Sequence, residues 1–249
     1  MAGGHRAGWR AKRRSGSPRE RARRRRAAAG HGVLGTWCRP LVRRDWSERP
    51  VAFLIARAAS APIVLDGKRV RLRPYVNADH AAWAELRRVS RAHLEPWEPA
   101  WRDADLDRRA FRARVQHYAR EVRQDAGYAY GVFRSGDGKL MGGIGFSHVR
   151  RGVTQAAVLG YWLGSPYLGR GYMTEAVRLM LGFAFQQLCL NRVEAASMPS
   201  NSDSIRILER TGFRREGVAR RYLQINGVFE DHILFAHLAD EFARGAGET

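Results

Sequence analysis

The sequence predicts a mixed α+β fold in which a mostly antiparallel central sheet is flanked by helices and preceded by a basic extension. Three features support this fold class. Short runs with strand composition are joined by turn residues, a glycine-rich turn links a strand to an amphipathic helix within residues 157–188, and a second short helix starts near residue 201. With 249 residues and 45% hydrophobic content, the chain has enough apolar side chains for a normal core.

Residues 1–60 differ in composition from the rest of the chain. They contain 16 Lys or Arg against 3 Asp or Glu, which is a net charge of +13 out of +20 for the whole chain. Because so much like charge cannot be buried, we expect this extension to be disordered. Three roles remain open: a solvated extension, an arm that neutralises ribosomal RNA phosphates, or an organellar transit peptide. We expect no membrane-spanning helix, because the apolar run near residues 51–59 is short and interrupted by Arg57.

The predicted elements follow one another as in a sheet built from hairpins. Alternating charged and apolar residues predict an edge strand at Arg69–Tyr75, and helical periodicity predicts helices at Ala78–Arg91 and Asp103–Gln124. Strand composition between turn residues predicts the remaining strands, at Tyr128–Arg134, Leu140–His148, Ala156–Leu163, Arg192–Met198, Arg214–Val218 and His232–His237. The amphipathic helix after the glycine turn is predicted at Thr174–Leu188.

The turn before that helix has the composition of an anion-binding loop. Gly169 and Gly171 can adopt backbone angles that other residues avoid, so successive N–H groups can point toward one anion, and the helix dipole adds to the attraction. The candidate binding residues are Leu168, Gly169, Arg170, Gly171, Tyr172 and Met173. The segment does not match the dinucleotide-binding motif, because it lacks the third glycine, and it does not match the nucleotide P-loop, because it lacks Gly-Lys followed by Ser or Thr.

A second segment, Asn201–Phe213, has a turn-forming asparagine, a serine-rich helix start and a terminating glycine at Gly212. Taken with the Gly-Arg-Gly loop and the strand between them, this Asn-x-x-Ser helix resembles the GNAT acetyltransferases, most of all ribosomal-protein-alanine N-acetyltransferases of the RimJ type. The resemblance extends to Leu94–Pro99, Leu159-Gly160-Tyr161, Tyr222–Gly227 and Glu230-Asp231-His232. It implies a GNAT domain at residues 63–240, with a splayed central sheet and acetyl-coenzyme A as co-substrate.

The same resemblance suggests catalytic residues. Relatives often protonate coenzyme A with a tyrosine seven residues after the asparagine, but that position is Leu208 in this chain. Ser204 is the best substitute, and Tyr222 is a second candidate; Asn201 would contribute to both the catalytic and the cofactor site. Ser204 can equally serve only as a helix-start hydroxyl that accepts from backbone N–H groups, and Asn201 can equally be only a turn residue. The general base remains open, with Glu98 and Glu194 as carboxylates that could hold a water molecule.

The segment His93–Trp101 is rich in proline and tryptophan, and we expect Trp97, Glu98 and Trp101 to line the acceptor site. The expected acceptor is the α-amine of a protein N-terminus, a ribosomal protein above all. One alternative is a small polyamine or aminoglycoside, and another is a non-catalytic coenzyme A-binding module with an RNA-binding arm. The sequence predicts no metal site and a cytoplasmic location, and leaves the oligomeric state open.

Overall fold

The computed structural model describes residues 63–245 of the chain. The predicted basic extension, residues 1–60, lies outside the described residues, so the three roles considered for it remain hypotheses. No helix within residues 63–245 is both long and apolar enough to cross a membrane.

Eight strands and six α-helices make up the described part of the chain. The strands are β1 (Leu65–Asp66), β2 (Val70–Arg73), β3 (Tyr128–Arg134), β4 (Leu140–Arg150), β5 (Ala156–Leu163), β6 (Arg192–Ser197), β7 (Arg214–Ile225) and β8 (Val228–Leu238). The helices are α1 (His80–Val89), α2 (Arg91–Leu94), α3 (Arg108–Arg123), α4 (Tyr172–Gly182), α5 (Ser202–Arg210) and α6 (Ala239–Gly245). Short 3₁₀ turns precede several helices, and a π-helical segment, Phe183–Gln187, continues α4.

The strands form a single sheet in the order β1-β2-β3-β4-β5-β6-β8-β7. Every neighbouring pair is antiparallel except β5 and β6, which run parallel. The mixed α+β class and the mostly antiparallel sheet predicted from the sequence are therefore confirmed.

Two apolar clusters cover the two faces of the sheet. Successive strand residues point to opposite faces, so Val132 belongs to one cluster and its neighbour Phe133 to the other. The larger cluster packs α4 and the π-helical segment on one face. The smaller one packs α1 and α3 on the other, around Trp83 and Phe111.

Several predicted element bounds needed correction. The predicted edge strand, observed as β2, pairs on both sides, because the two residues of β1 add a further strand outside it. The predicted helix at residues 103–124 is divided at Asp107, whose extended backbone ends a 3₁₀ turn and whose carboxylate accepts from the N–H of Ala110 at 2.6 Å to cap α3. Helix α4 begins at Tyr172 rather than Thr174, since Gly171 at φ 75° provides its start.

The last two strands are longer than predicted. They form one hairpin of 12 and 11 residues around Asn226 and Gly227. Two register shifts interrupt the pairing of β7 with β8, one at Arg215/Gly217 and one at Ala219/Leu223. These irregularities, with Arg220 and Arg221 in sequence, break the alternation by which a strand is recognised.

The core packing around Phe183 gives a test of this fold. Phe183 is 1% exposed, and its ring meets Tyr128 and Tyr130 edge to face at centroid distances of 5.3 and 5.9 Å. Phe183→Ala should lower the free energy of unfolding by about 3–5 kcal/mol in urea titrations, because it leaves a cavity and removes both ring contacts. Phe183→Leu, which keeps most of the volume, should lose less than half as much. A loss below about 1 kcal/mol for the alanine variant would contradict this packing.

Candidate functional site

A cleft opens where β5 and β6 part. The two strands pair at only three positions, from Ala156 opposite Arg192 to Val158 opposite Glu194. Beyond these pairs, β5 continues against β4 alone and β6 against β8 alone. The backbone amides and carbonyls of residues 159–163 that face β6 therefore have no strand partner within the described sheet, which leaves them available to a ligand.

One side-chain bridge crosses this cleft. The Tyr161 hydroxyl on β5 lies 2.9 Å from Ser204 Oγ on α5 and donates to the Ser204 carbonyl at 3.2 Å. Burial raises the pKa of Tyr161 to about 12, against a smaller opposing effect of the hydrogen bond to Ser204, so the phenol stays neutral at ordinary pH. The sequence had placed Tyr161 only within the Leu-Gly-Tyr resemblance and had not identified it as a site residue.

The start of α5 fixes the orientation of Ser204. Asn201 precedes the helix, and its Oδ1 accepts from the backbone N–H of Ser204 at 3.1 Å. The cap leaves the Ser204 side chain directed to Tyr161 rather than to the backbone. Asn201, for which the sequence offered a site role or only a turn, therefore caps the helix, and the cap holds Ser204 beside the cleft.

The glycine loop between β5 and α4 presents free amides. Gly169 and Gly171 have φ values of 71° and 75°, in the left-handed region that other residues rarely adopt. The backbone N–H groups of residues 169–174 donate to no acceptor within residues 63–245. The first hydrogen bond of the helix runs from Glu175 N–H to the Gly171 carbonyl. A row of unpaired N–H groups at the start of a helix fits an anionic group such as a diphosphate.

Arg69, next to β2, holds this loop by its carbonyls. Its guanidinium donates to the carbonyl oxygens of Arg170 at 2.9 Å and Gly171 at 3.4 Å. The same side chain pairs with Glu175 in the first turn of α4 at 3.0 Å, and the Arg69 backbone N–H donates to the other Glu175 oxygen at 2.8 Å. Arg69 binds the loop through its carbonyl oxygens and makes no hydrogen bond with its N–H groups, which therefore remain available to a ligand. We refer to Arg69 and Glu175 as the loop clamp.

The charge state of the clamp is stable near neutrality. Partial burial of Glu175 opposes its ionisation, but the hydrogen bonds from Arg69 outweigh burial and lower the pKa of this carboxyl. The sequence had given Glu175 only an electrostatic role at the helix start. Its partner lies 106 residues away, so no local pattern indicated the clamp.

The other predicted loop residues differ in exposure. Leu168 and Arg170 are exposed, and Arg170 makes no salt bridge with the carboxylates of the described residues. Tyr172 and Met173 begin α4, where Met173 is buried in the core while its N–H stays unpaired. The structure thus brings all six predicted loop residues together.

Two of the three predicted acceptor residues, Glu98 and Trp101, form a cluster around an arginine. Arg87 of α1, 9% exposed, donates to both Glu98 oxygens at 2.7 and 3.1 Å, and Trp101 Nε1 donates to Glu98 at 3.0 Å. The guanidinium groups of Arg87 and Arg91 lie 4.8 and 4.3 Å from the Trp101 ring centroid. These contacts occupy both carboxylate oxygens of Glu98. Trp97 is half-buried.

Glu194 is also neutralised by arginines. It pairs with Arg150 and Arg192, and Arg192 in turn pairs with Glu216 of β7. Burial opposes the ionisation of Glu194, but these hydrogen bonds hold its pKa below the usual range. Glu194 lies opposite Val158, where β5 and β6 are still joined, so the ion pairs close the narrow end of the cleft.

The β7–β8 hairpin lines a groove that the sequence analysis missed. The groove has a volume of about 510 Å³ and is lined by Glu95, Pro99, Ala100, Gln224, Asn226 and Gly227. Asn226 Nδ2 donates to the Glu95 carbonyl at 2.7 Å and joins the hairpin tip to the segment after α2. The Asn-Gly pair signals a hairpin turn, but not what the turn contacts.

Tyr222, the second predicted proton donor, lies on this hairpin. It is 48% exposed, and its ring meets that of the buried His232 at 5.8 Å. No hydrogen bond joins it to Ser204 within residues 63–245. The same range contains no group of three or more His, Cys, Asp or Glu side chains placed to hold a metal ion.

Comparisons with known proteins agree with this architecture. Residues 69–214 match the family model described as "Acetyltransferase (GNAT) domain". The chain is 37% identical over 175 residues to a probable N-acetyltransferase of Bacillus subtilis, YjcK, covering 70% of this chain and 97% of that protein. It is 31% identical over 169 residues to the [ribosomal protein uS5]-alanine N-acetyltransferase of Escherichia coli, covering 67% and 87%.

A solved structure is similar as well. Mycobacterium smegmatis RimJ in complex with CoA-disulfide superposes with a TM-score of 0.67 at 30% identity, covering 75% of this chain and 93% of that one. GNAT enzymes use acetyl-coenzyme A, and coenzyme A is present in that relative. The glycine loop and the Asn-x-x-Ser helix predicted the same group of proteins, and the chain belongs to the GNAT acetyltransferase family as an N-acetyltransferase.

Proposed function

We propose that this N-acetyltransferase transfers acetyl from acetyl-coenzyme A to the α-amine of a protein N-terminus, with a ribosomal protein as acceptor and the cytoplasm as the site of action. The observation that carries the proposal is the adjacency of two features. A loop of unpaired amides lies at the start of α4, and the Tyr161–Ser204 bridge crosses the cleft beside it. The catalytic unit comprises residues 63–240.

The donor site follows from the loop. The amides of Gly169, Arg170, Gly171, Tyr172 and Met173 would hold the diphosphate, with Leu168 at the entrance and the Arg170 side chain free to meet a phosphate. When bound, acetyl-coenzyme A supplies the acetyl group as an activated thioester. The unpaired backbone groups of residues 159–163 would align the rest of the donor in the cleft, and Asn201 would support its far side.

Ser204 is the proposed donor of the proton that converts the departing coenzyme A thiolate to the thiol. The Tyr161 hydroxyl donates its hydrogen to the Ser204 carbonyl. The Ser204 hydroxyl can therefore donate its own hydrogen to the Tyr161 oxygen, or to a ligand atom that takes the place of that oxygen in the cleft. Tyr161 remains neutral up to high pH and can return a proton to Ser204. Tyr222, exposed on the hairpin, is the second candidate for proton donation.

An α-amine suits a site without a strong base. Glu98 and Glu194 are both paired with arginines, so neither carboxylate is free to act as an efficient general base. Making an α-amine with a pKa near 8 neutral at pH 7 costs about 1.4 kcal/mol, whereas a lysine with a pKa near 10.4 costs about 4.6 kcal/mol. A water molecule held by backbone carbonyls suffices for the first.

The acceptor would enter along the groove between the hairpin tip and residues 95–100. Trp97 and Trp101 belong to the same segment as Pro99 and Ala100, which line this groove, and Glu98 accepts a hydrogen bond from Trp101. A polyamine or aminoglycoside requires unpaired carboxylates. The one carboxylate that lines this groove, Glu95, pairs with Arg91 at 3.6 Å, so the charge of the groove favours a peptide. The acceptor of the uS5-alanine N-acetyltransferase supports a ribosomal N-terminus.

The acceptor preference can be tested with an amine panel. Full-length protein with acetyl-coenzyme A should release free thiol with peptides that begin with Ala or Ser. It should not do so with spermidine or with the same peptides blocked at the α-amine but containing an internal lysine. Turnover of spermidine alone would contradict the proposed acceptor. Coenzyme A binding without turnover on any amine would support the non-catalytic alternative.

The proton-donor role predicts a selective loss of kcat. Ser204→Ala should lower kcat about 10²-fold, as expected for loss of a general acid, while the KM for acetyl-coenzyme A changes less than about threefold. Tyr161→Phe should lower kcat by a smaller factor, because it removes one hydroxyl of the pair. The matched control is Ser202→Ala, an exposed serine at the start of the same helix, which should behave as wild type. Equal rates for Ser204→Ala and Ser202→Ala would rule out Ser204 as the donor.

The loop clamp predicts a donor-specific effect. Arg69→Ala should raise the KM for acetyl-coenzyme A about tenfold, because the loop carbonyls lose their partner and the amides lose their alignment. Acetyl-pantetheine, which lacks the diphosphate, should react at the wild-type rate. Arg71→Ala removes a neighbouring exposed arginine paired with Asp66 and serves as the control. Equal losses with both donors would indicate general damage to the fold instead.

A further inference from the structure

The solvent face of α3 has an unusual distribution of charge. The helix contains six arginines, Arg108, Arg109, Arg112, Arg114, Arg120 and Arg123, against one acidic residue, Glu121. Glu121 is engaged by His117 at 3.5 Å. With 100° between successive residues, all of the arginines except Arg114 fall within an arc of about 120°, along about 22 Å of helix. We call these five residues, 108, 109, 112, 120 and 123, the arginine stripe.

The stripe is uncompensated in a domain whose other arginines are mostly paired. Of the 26 arginines in residues 63–245, 15 form a salt bridge with a carboxylate of the same range. Six of the other 11 lie on α3. Acidic side chains just before the helix are already occupied: Asp103 pairs with Arg91, Asp105 with Arg102, and Asp107 caps the helix.

Stability does not explain this arrangement. Arg108 and Arg109 lie in the first turn of the helix, where the dipole disfavours cations, and like charges four residues apart, as at Arg108 and Arg112, destabilise a helix. The dipole favours only Arg120 and Arg123, in the last turn. The stripe is exposed throughout, and packing is provided by other residues: Phe111 is 1% exposed, and Val115 and Tyr118 pack on the same cluster. The arginines therefore contribute an electrostatic surface and not core contacts.

We propose that the arginine stripe is a binding surface for the phosphate backbone of RNA. Guanidinium groups bind phosphate oxygens through paired N–H donors, and a row of them neutralises consecutive phosphates. A shallow depression of about 460 Å³, lined by Asn77, Arg108, Arg109, Phe111 and Arg112, lies at the N-terminal end of the stripe and adds a concave contact. The inference concerns a surface separate from the cleft and does not depend on acetyl transfer.

An anionic membrane is the other polyanionic surface to consider, and the structure favours RNA. A helix that binds a membrane surface inserts an apolar face between the lipids. The large apolar residues of α3 are turned into the domain, and the exposed face around the arginines offers only the small or polar side chains of Ala113, Gln116 and Ala119. Phosphate contacts alone, without apolar insertion, match a nucleic-acid backbone.

The test compares two triple variants of the full-length protein by anisotropy with a labelled RNA hairpin between about 50 and 200 mM salt. Arg112→Gln/Arg120→Gln/Arg123→Gln removes three stripe charges. Arg210→Gln/Arg220→Gln/Arg221→Gln removes three exposed, unpaired charges on α5 and β7. The stripe variant should reduce the slope of log Kd against log salt by about 2–3, roughly one per lost phosphate contact, whereas the control should change it by less than about 1. Residues 1–60 are identical in both variants, so any contribution of these residues to RNA binding is the same in both.

Charge-preserving and lipid controls complete the test. The corresponding triple lysine variant should retain the wild-type slope, and the glutamine variant should keep wild-type peptide acetylation, which shows that it is folded. If the triple variant loses acetylation, Arg120→Gln alone should reduce the slope by about 1.

A DNA duplex bound as tightly as the RNA hairpin would indicate readout of the phosphates alone, and tighter RNA binding would indicate contacts to the 2′-hydroxyl. Equal slopes for the stripe and control variants, or a loss of binding to anionic vesicles with RNA binding intact, would overturn the proposal.

Discussion

The structure depends on the early parting of two parallel strands. Pairing between β5 and β6 ends after three positions, although both strands continue. Unpaired backbone groups inside a protein are costly, so a sheet with such an opening requires something to fill it. The outer strands keep each half in place: β4 pairs with β5 along its length, and β8 pairs with β6 along its length. The Arg150–Glu194–Arg192–Glu216 ion pairs join the halves at the closed end.

Each half of the sheet supplies a different part of the site. The half from β1 to β5 holds the glycine loop, because Arg69 reaches from β2 to the loop carbonyls and to Glu175. The half formed by β6, β8 and β7 supplies the hairpin whose tip meets residues 95–100 through Asn226. Tyr161 and Ser204 connect α5 to β5 across the opening. The acetyl donor and the acceptor amine would thus approach the Tyr161–Ser204 contact from opposite sides.

Local sequence patterns predicted what depends on local geometry. The glycine turn, the start of a helix after Asn201 and the strand before the turn were predicted correctly, because positive φ angles, helix starts and strand composition leave short-range signatures. The loop clamp and the Tyr161–Ser204 bridge were not, since they join residues 106 and 43 positions apart. The arginine stripe was counted only as part of the net charge, and its significance appeared once the pairing of the other arginines was known. The length of β7 was underestimated because two irregularities disturb its alternation.

The strand order also has a consequence for biosynthesis. β8, the last strand of the described residues, lies between β6 and β7 and is the only antiparallel neighbour of β6 within that part of the chain. While residues 228–238 of a nascent chain are still inside the ribosome, β6 can pair only with β5 among the described strands, at three positions. One side of the cleft therefore cannot fold until these residues emerge. The enzyme would gain its ligand-binding competence late in translation, and a chain truncated within β8 would be inactive although every residue of the glycine loop is present.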